Sequence, residues 1–266
     1  MSGPGIGAAN AVRFREACEE IAVLDIAAGQ EPTLRITGER TVPGVWHENY
    51  WFRRHEAVYA AIATELDDAV VLEAGCGEGY GAQLLAEQAN RVVALDYDAY
   101  AIAQVGRAYP ALVVVRGNLV ALPFADDTYD AVVSLQTVEH LWDQDAFVAA
   151  CRRVLRPGGR LILSTPNRLT FPPGNPFHTR ELSAAELRDL VARHRGTAAL
   201  RGVRHGRDLT DWEHRNGSIV DAQLAAPPEQ WPTVVAERVS AVGVGDFVLD
   251  DQMQTCLDLV AVATFD

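Results

Sequence analysis

Residues 70–88, VVLEAGCGEGYGAQLLAEQ, set an apolar run against a seven-residue loop with four glycines, then a helical pattern. Main chain this poor in side chains lets a ligand approach the backbone closely. A strand, a glycine loop and a helix in that order place the loop beyond the carboxyl edge of an open parallel sheet. Such sheets bind their ligands there.

Outward from this unit the beat repeats. RVVALD (91–96), ALVVVRG (111–117), YDAVVSLQTV (129–138) and GRLILSTP (159–166) read as buried strands. AYAIAQVGRAY (99–109) and QDAFVAACRRVL (144–155) read as the helices between them. The alternation predicts βαβ units in a doubly wound α/β fold. RPGG (156–159) reads as a helix stop and tight turn, and DDTYD (126–130) as a solvated turn. Past Pro166 the rhythm loosens into a loop, NRLTFPPGNPFHTRE (167–181), and Ser183 with Glu186 forms a capping box for the next helix. TAALRGVRHG (197–206) reads as a sixth strand and LDLVAVATF (257–265) as the closing one. The residues between, with GSIVDAQLAAPPEQW (217–231), read as a helical insertion able to roof the ligand edge. Upstream, residues 1–35 read as an amphipathic helix and linker, and ENYWFRRHEAVYAAIATEL (48–66) as a helix. The domain plan is therefore an N-terminal helix and linker (1–45), a cofactor-binding core (46–205), a substrate-capping insertion (206–255) and the core's closing strand (256–266).

Composition narrows the partners. A formal net charge of −13 over 266 residues disfavours nucleic acid, whose phosphates need Lys and Arg. A small neutral substrate fits better. No apolar run reaches the roughly 18–20 residues of a membrane span. The N-terminal residues lack the pattern of a secretory signal. Four cysteines without CxxC spacing predict reduced thiols, neither a zinc cluster nor a disulfide framework, and a cytoplasmic protein. Oligomeric state stays open, a homo-oligomer included.

The loop itself argues against the commonest ligand. A dinucleotide fingerprint needs GxGxxG, yet Tyr80 stands at the third glycine position, and the spacing is GxGxG after Glu73. A nearby carboxylate suits a ligand with an ammonium group better than a pyrophosphate. Asp96 ends the second strand 19 residues after Gly77, where it can accept from both ribose hydroxyls. Asn118 can take an adenine amino group, and the Leu119 amide an adenine ring nitrogen.

Taken together, VLEAGCGEGYG, ALDYD, GNLVALPF, DAVVSLQTVEH and RVLRPGGRLILSTPN resemble the class I S-adenosylmethionine-dependent methyltransferases over about residues 68–167. The resemblance implies a Rossmann-like, seven-stranded, mostly parallel sheet whose last strand is antiparallel. It implies S-adenosyl-L-methionine as cofactor, held by Gly75, Gly77, Gly79, Asp96, Asn118 and Leu119, with Cys76, Tyr97 and Gln136 beside it. Glu73 would fix the glycine loop or a water on the cofactor amine. The small Cys76 also suits packing among glycines. The outer segments ITGERTVPG, ENYWFRRHEAVY, STPNRLTFPPGNPFHTREL, GSIVDAQ and LDLVAVA resemble the mycobacterial sugar 1-O-methyltransferases of methylmannose polysaccharide synthesis. They imply a small-molecule glycoside as substrate.

Methyl transfer to a hydroxyl needs alignment and a base. His140, expected at the end of the fourth strand, is the leading base or substrate ligand, with Glu139 alternating away from it along the chain. QTVEH also resembles the ExxEH signature of quinone-type O-methyltransferases, whose two glutamates and histidine hold a divalent ion. Gln136 replaces the first acid. An Mg²⁺ site from Glu139, His140 and an acid of the insertion is thus a competing use. His178 is a candidate substrate contact on a loop, and His205 a weaker one. His47, His55, His194 and His214 read as ordinary histidines. Tyr50, Trp51 and Arg54 read as core, or as a cover over the cofactor's methionine end. Two other classes stay in view: a nicotinamide oxidoreductase, against which Tyr80 and Glu73 argue, and a non-catalytic cofactor-binding scaffold. Nucleic-acid amine methylation lacks its Asn-Pro-Pro-Tyr grip after the fourth strand.

Overall fold

The inner strands of the central sheet are apolar runs buried on both faces, as at Leu161, Ile162 and Leu163, all fully buried. A computed structural model of the chain describes residues 40–266. The helix expected within 1–35 lies outside the described residues. In chain order the regular elements are α1 (Asn49–Ala63), β1 (Val70–Ala74), α2 (Tyr80–Ala86), β2 (Arg91–Asp96), α3 (Ala99–Ala108) and β3 (Val113–Arg116). Then come β4 (Tyr129–Leu135), α4 (Gln144–Val154), β5 (Leu155–Pro166), α5 (Ala184–Arg193) and β6 (Gly196–His205). The remainder holds α6 (Arg207–Asn216), α7 (Ile219–Leu224), α8 (Thr233–Ala241), β7 (Phe247–Asp250) and β8 (Asp258–Phe265).

The sheet runs in the order β3-β2-β1-β4-β5-β8-β6-β7. The first five are parallel neighbours, and β8 enters antiparallel between β5 and β6. The order reverses between β1 and β4, the switch point at which this Rossmann-like fold opens a crevice. An eighth strand joins the seven expected. Four residues, Phe247–Asp250, pair antiparallel with Gly202–His205 at the edge, and Phe247 packs its ring on Tyr50. So short a run inside a mainly helical insertion leaves no period to read.

Two local readings need correction. RPGG does not stop a helix before the fifth strand: β5 already starts at Leu155, which pairs with Tyr129, and pairing resumes at Arg160 with Ala131. The motif is a bulge, with Gly158 at φ 79°. DDTYD is only half a turn, because Tyr129 is fully buried and opens β4.

Caps fix where helices begin. Asp98 accepts from the Tyr100 amide (2.8 Å), Asp143 from the Ala146 amide (2.8 Å), and Ser183 with Glu186 makes the capping box of α5. The insertion is tied to the core through Asn49, whose Nδ2 donates to the carbonyls of Val239 and Val242 (2.9 Å each). No helix among the described residues is long and apolar enough to cross a membrane.

Candidate active site

The glycine loop is pinned to the end of β2. The amides of Gly75 and Cys76 both donate to the Leu95 carbonyl (2.8 and 2.9 Å), and the Gly77 amide donates to Asp96 Oδ2 (2.9 Å). Gly75 needs its φ of 91°, and a Cβ there would lie 2.6 Å from Thr137. At Gly77 a Cβ would meet, among the described residues, Arg40 Cδ at 3.7 Å, so little side chain crowds the loop's backbone there. Such a cradle suits the methionine end of a nucleoside cofactor, and Asp96 stands beside it. Glu73 does not reach that surface. It is fully buried, its Oε1 accepts from Tyr59 Oη (2.5 Å), and Gly81 lies directly over both groups. Burial pushes its carboxyl up to about 8.

The fourth strand ends earlier than expected, at Leu135, where Gln136 adopts φ 50° and donates from Nε2 to Ser164 Oγ (3.1 Å). A 3₁₀ turn, Val138–His140, follows. Glu139 and His140 therefore do not alternate to opposite faces. They converge, with Nε2 of His140 4.0 Å from Glu139 Oε1. The β5–α5 loop is stapled to this turn: the Thr179 amide donates to the Glu139 carbonyl (2.8 Å), and Thr179 Oγ1 to that of His140 (3.0 Å). The staple brings His178 in, its ring centroid 5.0 Å from that of His140. His140 Nδ1 donates to the Phe177 carbonyl (2.9 Å), because a carbonyl only accepts. That leaves the lone pair on Nε2. His178 Nδ1 donates to Glu181 (2.8 Å), and its Nε2 accepts from Asn175 (3.1 Å).

Glu139, His140 and His178 offer ligand atoms all within 4.8 Å of one another. Glu139 is 1% exposed, and among the described residues neither of its oxygens has a hydrogen-bond partner of normal geometry. Burial raises its carboxyl to about 8. The third member is His178, in place of the expected acid from the insertion. One carboxylate and two imidazoles suit a borderline divalent ion, whereas Mg²⁺ prefers oxygen. Mg²⁺ is the weaker match to these donors.

Comparison with known proteins follows this geometry. A family model described as a methyltransferase domain matches residues 72–163. A protein of Mycolicibacterium smegmatis named "Probable S-adenosylmethionine-dependent methyltransferase" is 49% identical over 247 residues, covering 86% of this chain and 95% of that one. A namesake from Mycobacterium tuberculosis is 48% identical over 244 residues, covering 86% and 89%. The chain is a class I S-adenosylmethionine-dependent methyltransferase. At the level of fold, a solved methyltransferase of Thermotoga maritima superposes with a TM-score of 0.60 at 15% identity, covering 84% of this chain and 92% of that one.

In this methyltransferase a cavity of about 240 Å³ opens between the histidine turn and α1. Gln136, Glu139, His140 and His178 line it, as do Trp51, Arg54 and His55 of α1 and Leu224 of α7. The sequence reads Trp51 and Arg54 as core or as a cover over the cofactor's methionine end, whereas Arg40 and the part of His55 in this wall escape that reading. Trp51, Arg54 and His55 do fall at i, i+3 and i+4, one helical face, which was the available signal. His55 is half-buried, and burial lowers it to about 4, so its ring is neutral. Tyr50 is core, fully buried, with its hydroxyl 2.7 Å from His205 Nε2. His205 in turn donates from Nδ1 to Glu213 (2.8 Å) and lines a larger cavity of about 490 Å³, which shares Arg54 and Phe171 with the first. Asn118 is exposed, and its Oδ1 accepts from the Val120 amide (3.1 Å). Leu119 is buried beside it, and Tyr97 is 68% exposed. Cys76, Cys151 and Cys256 are free buried thiols.

Proposed function

We propose that this methyltransferase methylates a sugar hydroxyl, the 1-hydroxyl of a methylated mannoside in methylmannose polysaccharide synthesis. The observation that carries the reading is His140 on the cavity wall, its Nδ1 tied to the Phe177 carbonyl, beside Glu139 and His178. When bound, S-adenosyl-L-methionine supplies an electrophilic methyl on a sulfonium. The glycines at 75, 77 and 79 hold its methionine end, Asp96 the ribose, and Asn118 and Leu119 the adenine, with Cys76, Tyr97 and Gln136 alongside. His140 Nε2 takes the acceptor's hydroxyl proton as the oxygen gains the methyl group. Glu139, kept largely protonated by burial, lies 4.0 Å from that nitrogen, and His178 contacts the acceptor. An anomeric hydroxyl, the most acidic on a free sugar, suits a neutral imidazole base. The sugar assignment draws on the outer segments of the sequence. The larger cavity supports it with room and with hydroxyl-bonding side chains such as Arg204, Glu213 and Asp221. A divalent ion on Glu139, His140 and His178 would polarise the acceptor oxygen. No step here requires it.

Radiolabelled S-adenosyl-L-methionine incubated with short methylated mannosides yields labelled glycoside on this reading. Label carried by phenols or quinols alone transfers the assignment to the quinone-type O-methyltransferases that QTVEH resembles. His140→Ala lowers kcat by about 100- to 1,000-fold, within the usual span for losing a general base, while S-adenosylhomocysteine binding holds. Undiminished turnover removes His140 from the chemistry.

A further inference from the structure

The cavity of about 490 Å³ is larger than the one that holds His140, and the two adjoin: Arg54 and Phe171 stand in the walls of both. We propose that the larger cavity is an extension subsite, which takes the sugar next to the one being methylated and takes it only uncharged, with Asp221 setting that preference. The proposal deepens the sugar reading and rests on it.

The walls are tied to one another. Glu213 of α6 is held on two sides: its Oε2 accepts from His205 Nδ1 (2.8 Å) and its Oε1 from the Ile219 amide (3.0 Å). His205 Nε2 is then left as an acceptor, and the Tyr50 hydroxyl donates to it at 2.7 Å. This chain joins the insertion, through the end of β6, to α1 of the core. The Ile219 bond and the Ser218 cap on the Asp221 amide (3.1 Å) set where α7 starts, and so where Val220 and Asp221 stand in the wall. Phe171, Pro172 and Leu257 supply an apolar side. An apolar wall with a few placed polar groups is the usual make-up of a small-molecule site, and it matches a sugar ring, whose C–H face and hydroxyl edge differ.

The charges decide which sugar enters. Arg54 and Arg204 in the wall are each engaged by an aspartate outside it, Asp258 and Asp250. Glu213 and Asp221 pair with no arginine among the described residues. Burial raises the Glu213 carboxyl, but the bonds from His205 and Ile219 outweigh it and hold the group below its ordinary value, so Glu213 is an anion. Its two oxygens are taken up by those bonds. The Asp221 carboxylate is exposed and accepts no hydrogen bond from the described residues, so it is the acid that a ligand meets. Hydroxyls can donate to it. A phosphate on the second sugar would enter against an acidic wall whose arginines are already matched, and like charges brought together discriminate against the wrong ligand.

Initial rates with S-adenosyl-L-methionine and the full chain test this on three acceptors: methylated mannose, a methylated mannobiose with the same reducing sugar, and that mannobiose phosphorylated on its second sugar. The mannobiose should exceed mannose in kcat/KM by about 10-fold or more, chiefly through KM, and its phosphate should lose at least about 10-fold. Asp221→Lys should raise the ratio of phosphorylated to neutral mannobiose by about 10- to 100-fold. Thr255→Trp, at an exposed position of the same wall, fills the cavity and should bring mannobiose to within about twofold of mannose. Melting temperatures of both variants report that the fold is intact. Equal kcat/KM for the three acceptors overturns the subsite and leaves the sugar reading standing. A ratio unmoved by Asp221→Lys overturns the assigned charge preference. Transfer to no glycoside at all removes the sugar reading and the subsite with it, a different failure.

Discussion

Glu73 is a carboxyl that stays protonated in the folded chain at neutral pH, because the cost of burial outweighs the hydrogen bond it accepts from Tyr59. Unfolded, it ionises near its ordinary 4.5; folded, near 8. Between those values folding must take up a proton, so its contribution to stability declines as pH rises through the window and is level above it. Glu73→Gln keeps an acceptor for Tyr59 without the titration. The variant should therefore be more stable than wild type at pH 8.5, with the difference closing toward pH 5. A difference that stays constant across thermal melts in that range contradicts the burial argument. At this scale the sequence was informative where chemistry clusters along the chain, at the glycines, Asp96 and Glu139-His140. It was silent on Arg40, and it marked His178 without pairing it to Glu139 and His140, because that placement depends on contacts made across the fold. Glu73 shows a third case: its type was legible, its direction was not, because the pleat alone does not say which face Tyr59 will cover.

The start of α5 is the element whose local code is most complete. The Ser183 side chain meets the Glu186 amide, Glu186 reaches back to the Ser183 amide at 2.8 Å, and Leu187 and Leu190 bury the opposite face. Ser183→Ala should lower unfolding free energy by about 1 kcal/mol, and Tm by roughly 2–4 °C for a domain of this size. A melt coincident with wild type would mean that packing alone sets this terminus. Capping boxes can be read because donor and acceptor lie three residues apart. The end of β4 cannot be read in this way. TVEH carries no breaker, and the strand stops because Gln136 turns left-handed against Ser164 of the neighbouring β5. RPGG failed for the opposite reason: a turn motif inside a paired strand makes a bulge, and the partner's register decides which.

Across the whole molecule, α1 and the last strand are joined by Arg54 and Asp258, 204 residues apart and both almost fully buried. Asp258→Ala would strand a guanidinium without its counter-charge, an expected loss of about 3–5 kcal/mol in urea unfolding. A loss below about 1 kcal/mol would show that water reaches the site. The order of the sheet has a further consequence. Residues 258–265 fill its interior, between β5 and β6, so each neighbour lacks a partner along one side until they arrive. During synthesis the nascent chain therefore holds two open β edges while these residues are still in the ribosomal tunnel, the interval in which chaperone cover matters most.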